Sequence, residues 1–573
     1  MMRYFLSSIA ILFFFSSFGQ NLPNHMTDKE KSQMKSYLQN ITSKGNTTPP
    51  QGDLRTPGEW EEIDYLTITW RSYKEILSQI VKHAQKEATV IIHCSDSNTV
   101  KTELNNYGVT PTNVKYIQAP SNSIWIRDYG AQTVYKNAVD SLILVDWIYN
   151  RPRPDDDAIP EHTASALNIP LYQTTKAPYE LITPGGNFMT DGFGTAFSSN
   201  LILDENPSLT ESEIDSIMYK FMGIDTFIHM TNLPYDGIHH IDMHMKLLDE
   251  ETLLVGEYPQ GTADGPQIEA NLLYVLNHFN SKFNDPFEVI RIPMPPSPSG
   301  LYPDQGGYYR TYTNSVFVNN SLLVPTYYEE YDTTALRILR ENLPGYNVTG
   351  INSSDIIPAS GAIHCITKSI GSDNPLLISH QPYNDTVSFQ GAYNVEATIR
   401  HRSGIGSATL HFTSDTSAGY QTVSMSPGAS NQWEAQIPQQ NNQTEIFYYL
   451  RATSNSGKTI TRPLPAPDGY WSFIADPSVG IIEHAAKHTQ MDNVFPNPAS
   501  AITAIPVNSK NPEKISLYLF NSLGQQVKKI FEGKTKAGKN HYFIDASKYP
   551  AGTYLIQMKS VSNTQTQKLI IGK

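Results

Sequence analysis

Along the first two thirds of the chain the apolar positions switch between two periods. Tyr65-Leu66-Thr67-Ile68-Thr69-Trp70 alternates as a strand does, and Tyr73 to Lys86 carries the spacing of an amphipathic helix. Thr89-Val90-Ile91-Ile92-His93 then returns to an unbroken apolar run. Strand and helix patterns keep alternating to about residue 370, which predicts an α/β domain over 56–374. Beyond Asn374 the helical spacing stops. Ala408-Thr409-Leu410-His411-Phe412 and Ile446-Phe447-Tyr448-Tyr449-Leu450 alternate with period two, punctuated by Ser403-Gly404 and Ser456-Gly457. Residues 375–476 therefore read as a β-sandwich of immunoglobulin-like type. After a linker at 477–489, residues 490–573 are again all β and form a second sandwich, with Ile515, Leu517 and Leu519 on one face.

The first 55 residues follow neither period. Residues 1–20 read as a signal peptide: Arg3 supplies the positive start and Ile9 to Phe15 the apolar run. That run is shorter than the roughly 20 residues of a spanning helix, and no later segment is apolar enough to span. Residues 21–55 are polar, with one helix-like stretch from Thr27 to Gln39, and predict a weakly ordered leader removable on maturation. The 573 residues carry 42 Lys and Arg against 55 Asp and Glu, a net charge of −13. No basic block stands ready to neutralise phosphates, so nucleic acid is not the expected partner. The chain reads as an exported, soluble protein.

Four stretches of the α/β domain carry candidate chemistry. Gly361-Ala362-Ile363-His364-Cys365-Ile366-Thr367 holds one of two cysteines. A disulfide with Cys94 is the alternative to a nucleophile. Cys94 itself closes the run Val90-Ile91-Ile92-His93 and reads as a buried structural residue. In Ser123-Ile124-Trp125-Ile126-Arg127-Asp128-Tyr129-Gly130, read as extended, Asp128 lies among apolar and aromatic neighbours and needs a cation, with Arg127 on the opposite face. In Gly237-Ile238-His239-His240-Ile241-Asp242-Met243-His244, also read as extended, His240, Asp242 and His244 share a face. That face suits a base with its anchor, or a metal held by three ligands. Asn314 enters the apolar run Ser315-Val316-Phe317-Val318, where a buried amide must find a partner. His364 adjoins Cys365, and on an extended chain it points away; the base for the thiol is then His240.

Taken in order, Trp125-Ile126-Arg127-Asp128-Tyr129-Gly130, Gly185-Gly186-Asn187-Phe188-Met189-Thr190-Asp191-Gly192, His240-Ile241-Asp242, Asn314 and Gly361-Ala362-Ile363-His364-Cys365 resemble the guanidino-modifying penteins. The resemblance is to bacterial peptidylarginine deiminases of the Porphyromonas type, sister to agmatine deiminases. It implies a five-bladed α/β propeller with its site on the axis, Cys365 as nucleophile and His240 as acid/base. It further implies Asp128 and Asp242 as anchors of a guanidinium, Trp125 as a substrate contact, and chemistry without metal or other cofactor. Asn314 would orient the nucleophile or the substrate. In the same family Arg151-Pro152-Arg153-Pro154 is similar to the pair that grips a free α-carboxylate, which implies a peptide ending in arginine as substrate. Without the resemblance, Arg151 and Arg153 read as a solvated face paired with Asp155, Asp156 and Asp157.

At the other end, Val494-Phe495-Pro496-Asn497-Pro498-Ala499, Phe520-Asn521-Ser522-Leu523-Gly524-Gln525 and Tyr549-Pro550-Ala551-Gly552-Thr553-Tyr554 precede a basic finish at Lys568 to Lys573. This order resembles the C-terminal sorting domain of the type IX secretion system, and implies that export machinery is a partner and the cell surface or medium the destination. Two readings stay open beside a peptidylarginine deiminase. One is a deiminase of agmatine or free arginine, the other an adhesion protein whose core has lost activity.

Overall fold

The computed structural model describes residues 21–572 apart from 384–385, 389–390, 478–488, 496, 500–501, 510, 537 and 561–562. The expected signal peptide and nearly all of the expected linker lie outside the described residues.

Five small sheets make up residues 54–371, and each is built the same way. Each holds an antiparallel pair of strands, a helix that crosses over from one of them, and a further strand that joins that one in parallel. Thr252–Glu257, for example, pairs antiparallel with Met245–Leu247 and parallel with Glu288–Pro293, with the helix Gly265–His278 as crossover. Val316–Val318, Ser321–Thr326 and Asn347–Asn352 repeat the scheme around the helix Glu329–Asn342. The parallel strands are buried on both faces, which is why their sequences read as unbroken apolar runs. One sheet closes the set. Lys368–Gly371, the last strand of the domain, pairs with Ile63–Thr69, the opening strand of the sheet that continues through Thr89–Cys94 and Val114–Gln118.

A second module follows. Two mainly antiparallel sheets, one holding Tyr393–Arg400 and the other Ile405–Thr413 and Thr444–Ser454, share a core of Val395, Ile399, Leu410, Tyr448 and Leu450. Arg462 reaches Glu250 (3.1 Å) and Lys458 reaches Glu62 (2.5 Å), fastening this module to the first. The last module is all β, and Ile515, Leu517 and Leu519 do line one buried face of the strand Lys514–Asn521. No helix among the described residues is long and apolar enough to cross a membrane.

The arm at 21–55 departs from the weakly ordered leader that its polarity predicts. Thr27 caps the helix Asp28–Gln39 through a reciprocal bond with Glu30. Further on, Lys44 and Gly45 amides donate to Gln173 Oε1, and Asn46 bridges to Tyr172. Polarity alone predicts disorder when there is nothing to bind. Here the partners are other parts of the chain.

Candidate active site

The stretches picked out in the sequence share one architectural position. Each lies just ahead of the strand that forms the antiparallel pair of its sheet: Asp128 before Gln132–Lys136, Gly186 before Met189–Thr190, His240 and Asp242 before Met245–Leu247, Asn314 before Val316–Val318, and Cys365 before Lys368–Gly371. Five equivalent entry points supply one cluster.

Their local conformations differ from the extended chain expected. Ile126–Tyr129 is a single helical turn, in which Asp128 N donates to Trp125 O (3.0 Å) and Gly130 N to Ile126 O (2.8 Å). The segment is buried on every side, so no alternation of apolar and polar residues marks its period. A helical turn separates neighbours by about 100°, and Arg127 and Asp128 still diverge. Arg127 runs to Glu59 (2.7 Å) and to His364 O (3.3 Å). Asp128 Oδ1 accepts from Gly186 N (3.1 Å) and lies 3.5 Å from His240 Nδ1.

Gly237–His244 is likewise not a strand. The chain enters a 3₁₀ turn, Ile241–Met243, through His239 at φ 57°. A left-handed backbone on a non-glycine residue costs on the order of 1 kcal/mol. Ser199 Oγ, donating to His239 O at 2.6 Å, helps to hold it there. The turn keeps His240 and Asp242 together and sends His244 elsewhere, where burial pushes its imidazole down to about 4. Among the described residues the ligand atoms of His240, Asp242 and His244 do not converge; those of Glu211, Asp215 and His229 do.

Cys365 sits in a compact turn that Asn314 organises. Asn314 Oδ1 accepts from the amides of Ala362 (3.2 Å), His364 (3.1 Å) and Cys365 (3.4 Å), and its Nδ2 donates to Cys365 Sγ (3.2 Å). Cys94 and Cys365 are both free and buried, so the disulfide alternative falls. His364 does not point away. Its Nδ1 is 2.6 Å from Asp242 Oδ2 and its Nε2 2.7 Å from Glu59 Oε1. Opposite faces for adjacent residues hold only on an extended chain, and this one is turned.

Gly186 is the floor of the cluster. A Cβ there would lie 2.6 Å from His240 Nδ1, 2.9 Å from Asp128 Oδ1 and 3.3 Å from Asp242 Oδ2. Cys365 Sγ in turn lies 3.8 Å from Asp242 Oδ2. Burial sets the electrostatics. It pushes Asp128 up to about 7, with the Asp242 charge adding to the effect, and drives His240 down to about 3. Burial, then the charges of Asp242 and Asp128, raise the Cys365 thiol well above its usual value. Asp128 Oδ2, Asp242 Oδ1 and both ring nitrogens of His240 have no hydrogen-bond partner among the described residues. Four orphaned polar atoms in one buried site are costly unless a ligand satisfies them.

Arg151, Arg153 and Trp125 are buried rather than solvated, and each holds a partner from the N-terminal arm. Arg151 Nε donates to Asn24 O (2.9 Å), Arg153 Nη2 to Pro23 O (2.8 Å) and Trp125 Nε1 to Leu22 O (2.9 Å). Arg153 also forks onto Glu30, Nε to Oε1 at 2.7 Å and Nη2 to Oε2 at 3.3 Å. The neighbouring Asp156 is spent on Ser123 and Asn122 instead.

Glu59 is the participant that sequence reasoning missed. It joins His364, Arg127 and Lys246 (2.7 Å) in one buried network. Burial alone would raise its carboxyl, yet His364, Lys246 and Arg127 together hold it well below the usual range. Gly58-Glu59-Trp60-Glu61-Glu62 offers three glutamates in four positions, and nothing local says which one turns inward.

Comparison with known proteins gives the fold first. The agmatine deiminase of Enterococcus faecalis has the same fold over 57% of this chain and all of its own, at 17% identity and a TM-score of 0.50. A second solved structure, provisionally named an agmatine deiminase, matches over 58% of this chain and all of its own, at 20% identity and a TM-score of 0.51. Sequence relatives provisionally named agmatine deiminases include one from Legionella pneumophila strain Paris, 25% identical over 56% of this chain and 97% of its own. Another, from Mycoplasma mycoides, is 23% identical over 57% of this chain and 98% of its own. Residues 55–370 match the Porphyromonas-type peptidyl-arginine deiminase family, and the chain belongs to that family. Residues 493–572 match a secretion system C-terminal sorting domain.

Proposed function

We propose that the protein is an exported peptidylarginine deiminase, converting arginine, preferably at a peptide C-terminus, to citrulline and ammonia. The observation that carries the reading is the set of orphaned atoms on Asp128, Asp242 and His240 beside a free thiol. A guanidinium is planar, permanently charged and rich in donors, so paired carboxylates complement it. Its charge also offsets the cost of two buried acids.

In this reading the substrate cation draws Asp128 into its ionised form and favours the Cys365 thiolate. Neutral His240 takes the thiol proton as Sγ attacks the guanidinium carbon and forms the C–S bond. His240 then delivers that proton to the departing nitrogen as the C–N bond breaks, and ammonia leaves a covalent thiouronium. Neutral His240 then takes a proton from water. The hydroxyl attacks the same carbon, the C–S bond breaks, and the ureido product departs. Asn314 fixes the turn that carries Sγ. Gly186→Ala would thrust a methyl group into His240 and Asp128, and turnover should fall by about 10² while the protein still folds; assays beside a melting curve check this.

What supports the C-terminal preference is the Arg151 and Arg153 pair. It is buried, and the Arg153 fork already accepts a carboxylate in Glu30. Agmatine has no carboxylate for such a pair. The comparison to make is kcat/KM for a peptide ending in arginine against agmatine, in the wild type and in Arg151→Ala. The peptide should be favoured, and the variant should lose that preference selectively. Faster turnover of agmatine by the wild type would sink the reading and leave an agmatine deiminase, the name its relatives carry.

We also read the five sheets as blades of an α/β propeller, and the module over 375–476 as immunoglobulin-like. The sorting domain, with a signal peptide at 1–20, makes type IX export to the surface or medium our reading of its location.

A further inference from the structure

The N-terminal segment lies across the cluster in a way its own packing does not require. Leu22, Pro23 and Asn24 present their carbonyls in turn to Trp125, Arg153 and Arg151. Asn24 N donates to Ala359 O (2.8 Å), directly ahead of the turn that carries Cys365. The Asn24 side chain is fully buried and its amide finds no partner among the described residues, so the residue is held by its backbone alone. This is how an extended peptide of arbitrary sequence is gripped. Glu30 then sets a carboxylate on the Arg153 fork.

The segment is also built to leave. Its helix, Asp28–Gln39, buries Glu30 and no other residue fully. A free helix of this length is marginal in water, and its tie to the domain is polar rather than a packed apolar face. Asn40 and Thr42 are exposed between the helix and the stitching that begins at Ser43 and Lys44. The family match begins at residue 55, after the whole segment.

We propose that residues 21–40 are a plug in cis: they occupy the seat for a substrate's backbone and terminal carboxylate and keep the enzyme latent until cleavage at the exposed 40–42 connection releases them. The assignment of that seat rests on the function proposed above.

The test inserts a specific protease site between Asn40 and Ser43 of the full chain and compares cut with uncut protein. Two quantities are read: citrulline release from a peptide ending in arginine, and the rate at which iodoacetamide alkylates Cys365, which needs no substrate. A plug seated nine times in ten lowers both by about tenfold, so cutting should raise both by at least that factor. A synthetic 21–40 peptide added back should lower them again. In the uncut chain, Glu30→Ala removes the carboxylate without shortening the protein, and both rates should rise several-fold. Faster alkylation with no citrulline from any guanidine would uphold the plug and overturn the proposed reaction. Citrulline release equally fast in cut, uncut and Glu30→Ala protein would uphold the reaction and overturn the plug.

Discussion

Cys365→Ala should leave the protein folded and its deiminase activity gone. The side chain is fully buried, but the change removes a single sulfur, which costs on the order of 1 kcal/mol in a packed interior. Asn314 keeps its three backbone donors, so the turn survives without the thiol. Cys365 is the nucleophile of the proposed reaction, and loss of a nucleophile that forms the covalent intermediate costs roughly 10⁴-fold or more. The measurement is citrulline release beside a thermal melt. Turnover within tenfold of wild type would refute the mechanism, and would favour the adhesion reading if the wild type were equally inert.

Asp128→Asn should destroy activity and stabilise the protein, and the stabilisation should depend on pH. The folded-state value for Asp128 is about 7, against about 3.9 for an unperturbed aspartate. Between these values the folded chain binds more protons than the unfolded one, so stability falls as pH climbs from about 4 through 7, then levels. The cost at pH 8 approaches 4 kcal/mol as an upper bound. Asparagine cannot ionise and escapes it. The variant should therefore melt higher than wild type at pH 8 and nearly with it at pH 4.5. A bound guanidinium left facing a neutral amide loses an ion-pair partner, worth about 10²–10³ in kcat/KM. A variant that melts lower at pH 8 would show that Asp128 supports the fold rather than a ligand.

How much of this was legible in the sequence depends on the range of the forces involved. The sheets of the first domain announced themselves because Val90, Ile91 and Ile92 or Leu253, Leu254 and Val255 are buried on both faces, and burial of that kind leaves an apolar run. Candidate residues were legible from types and order. Their conformations were not. Trp125 to Tyr129 turns into a helix because neighbours enclose it on every side, and no local period records that. His364 was set aside on the rule for extended chains, yet it links Asp242 to Glu59 because Asn314, fifty residues upstream, bends its backbone. Glu59 was invisible among other glutamates, and the arm passed for a disordered leader because its partners lie more than a hundred residues away. The recurrence of candidate residues just ahead of one strand of each sheet was present in the sequence, but its meaning depends on knowing how the strands pair.

The pairing of Lys368–Gly371 with Ile63–Thr69 has a kinetic consequence. It joins residues some 300 positions apart, as in the bond from Thr67 to Lys368, and such a contact must overcome a large loop-closure entropy before it contributes anything. Cys365 lies immediately ahead of that closing strand. On the proposed mechanism, a chain that has not made this pairing is expected to hold Asp128, His240 and Asp242 without the nucleophile in place. Catalytic competence would then report completion of the domain, and a chain still short of that pairing would be inert by topology as well as by the proposed plug.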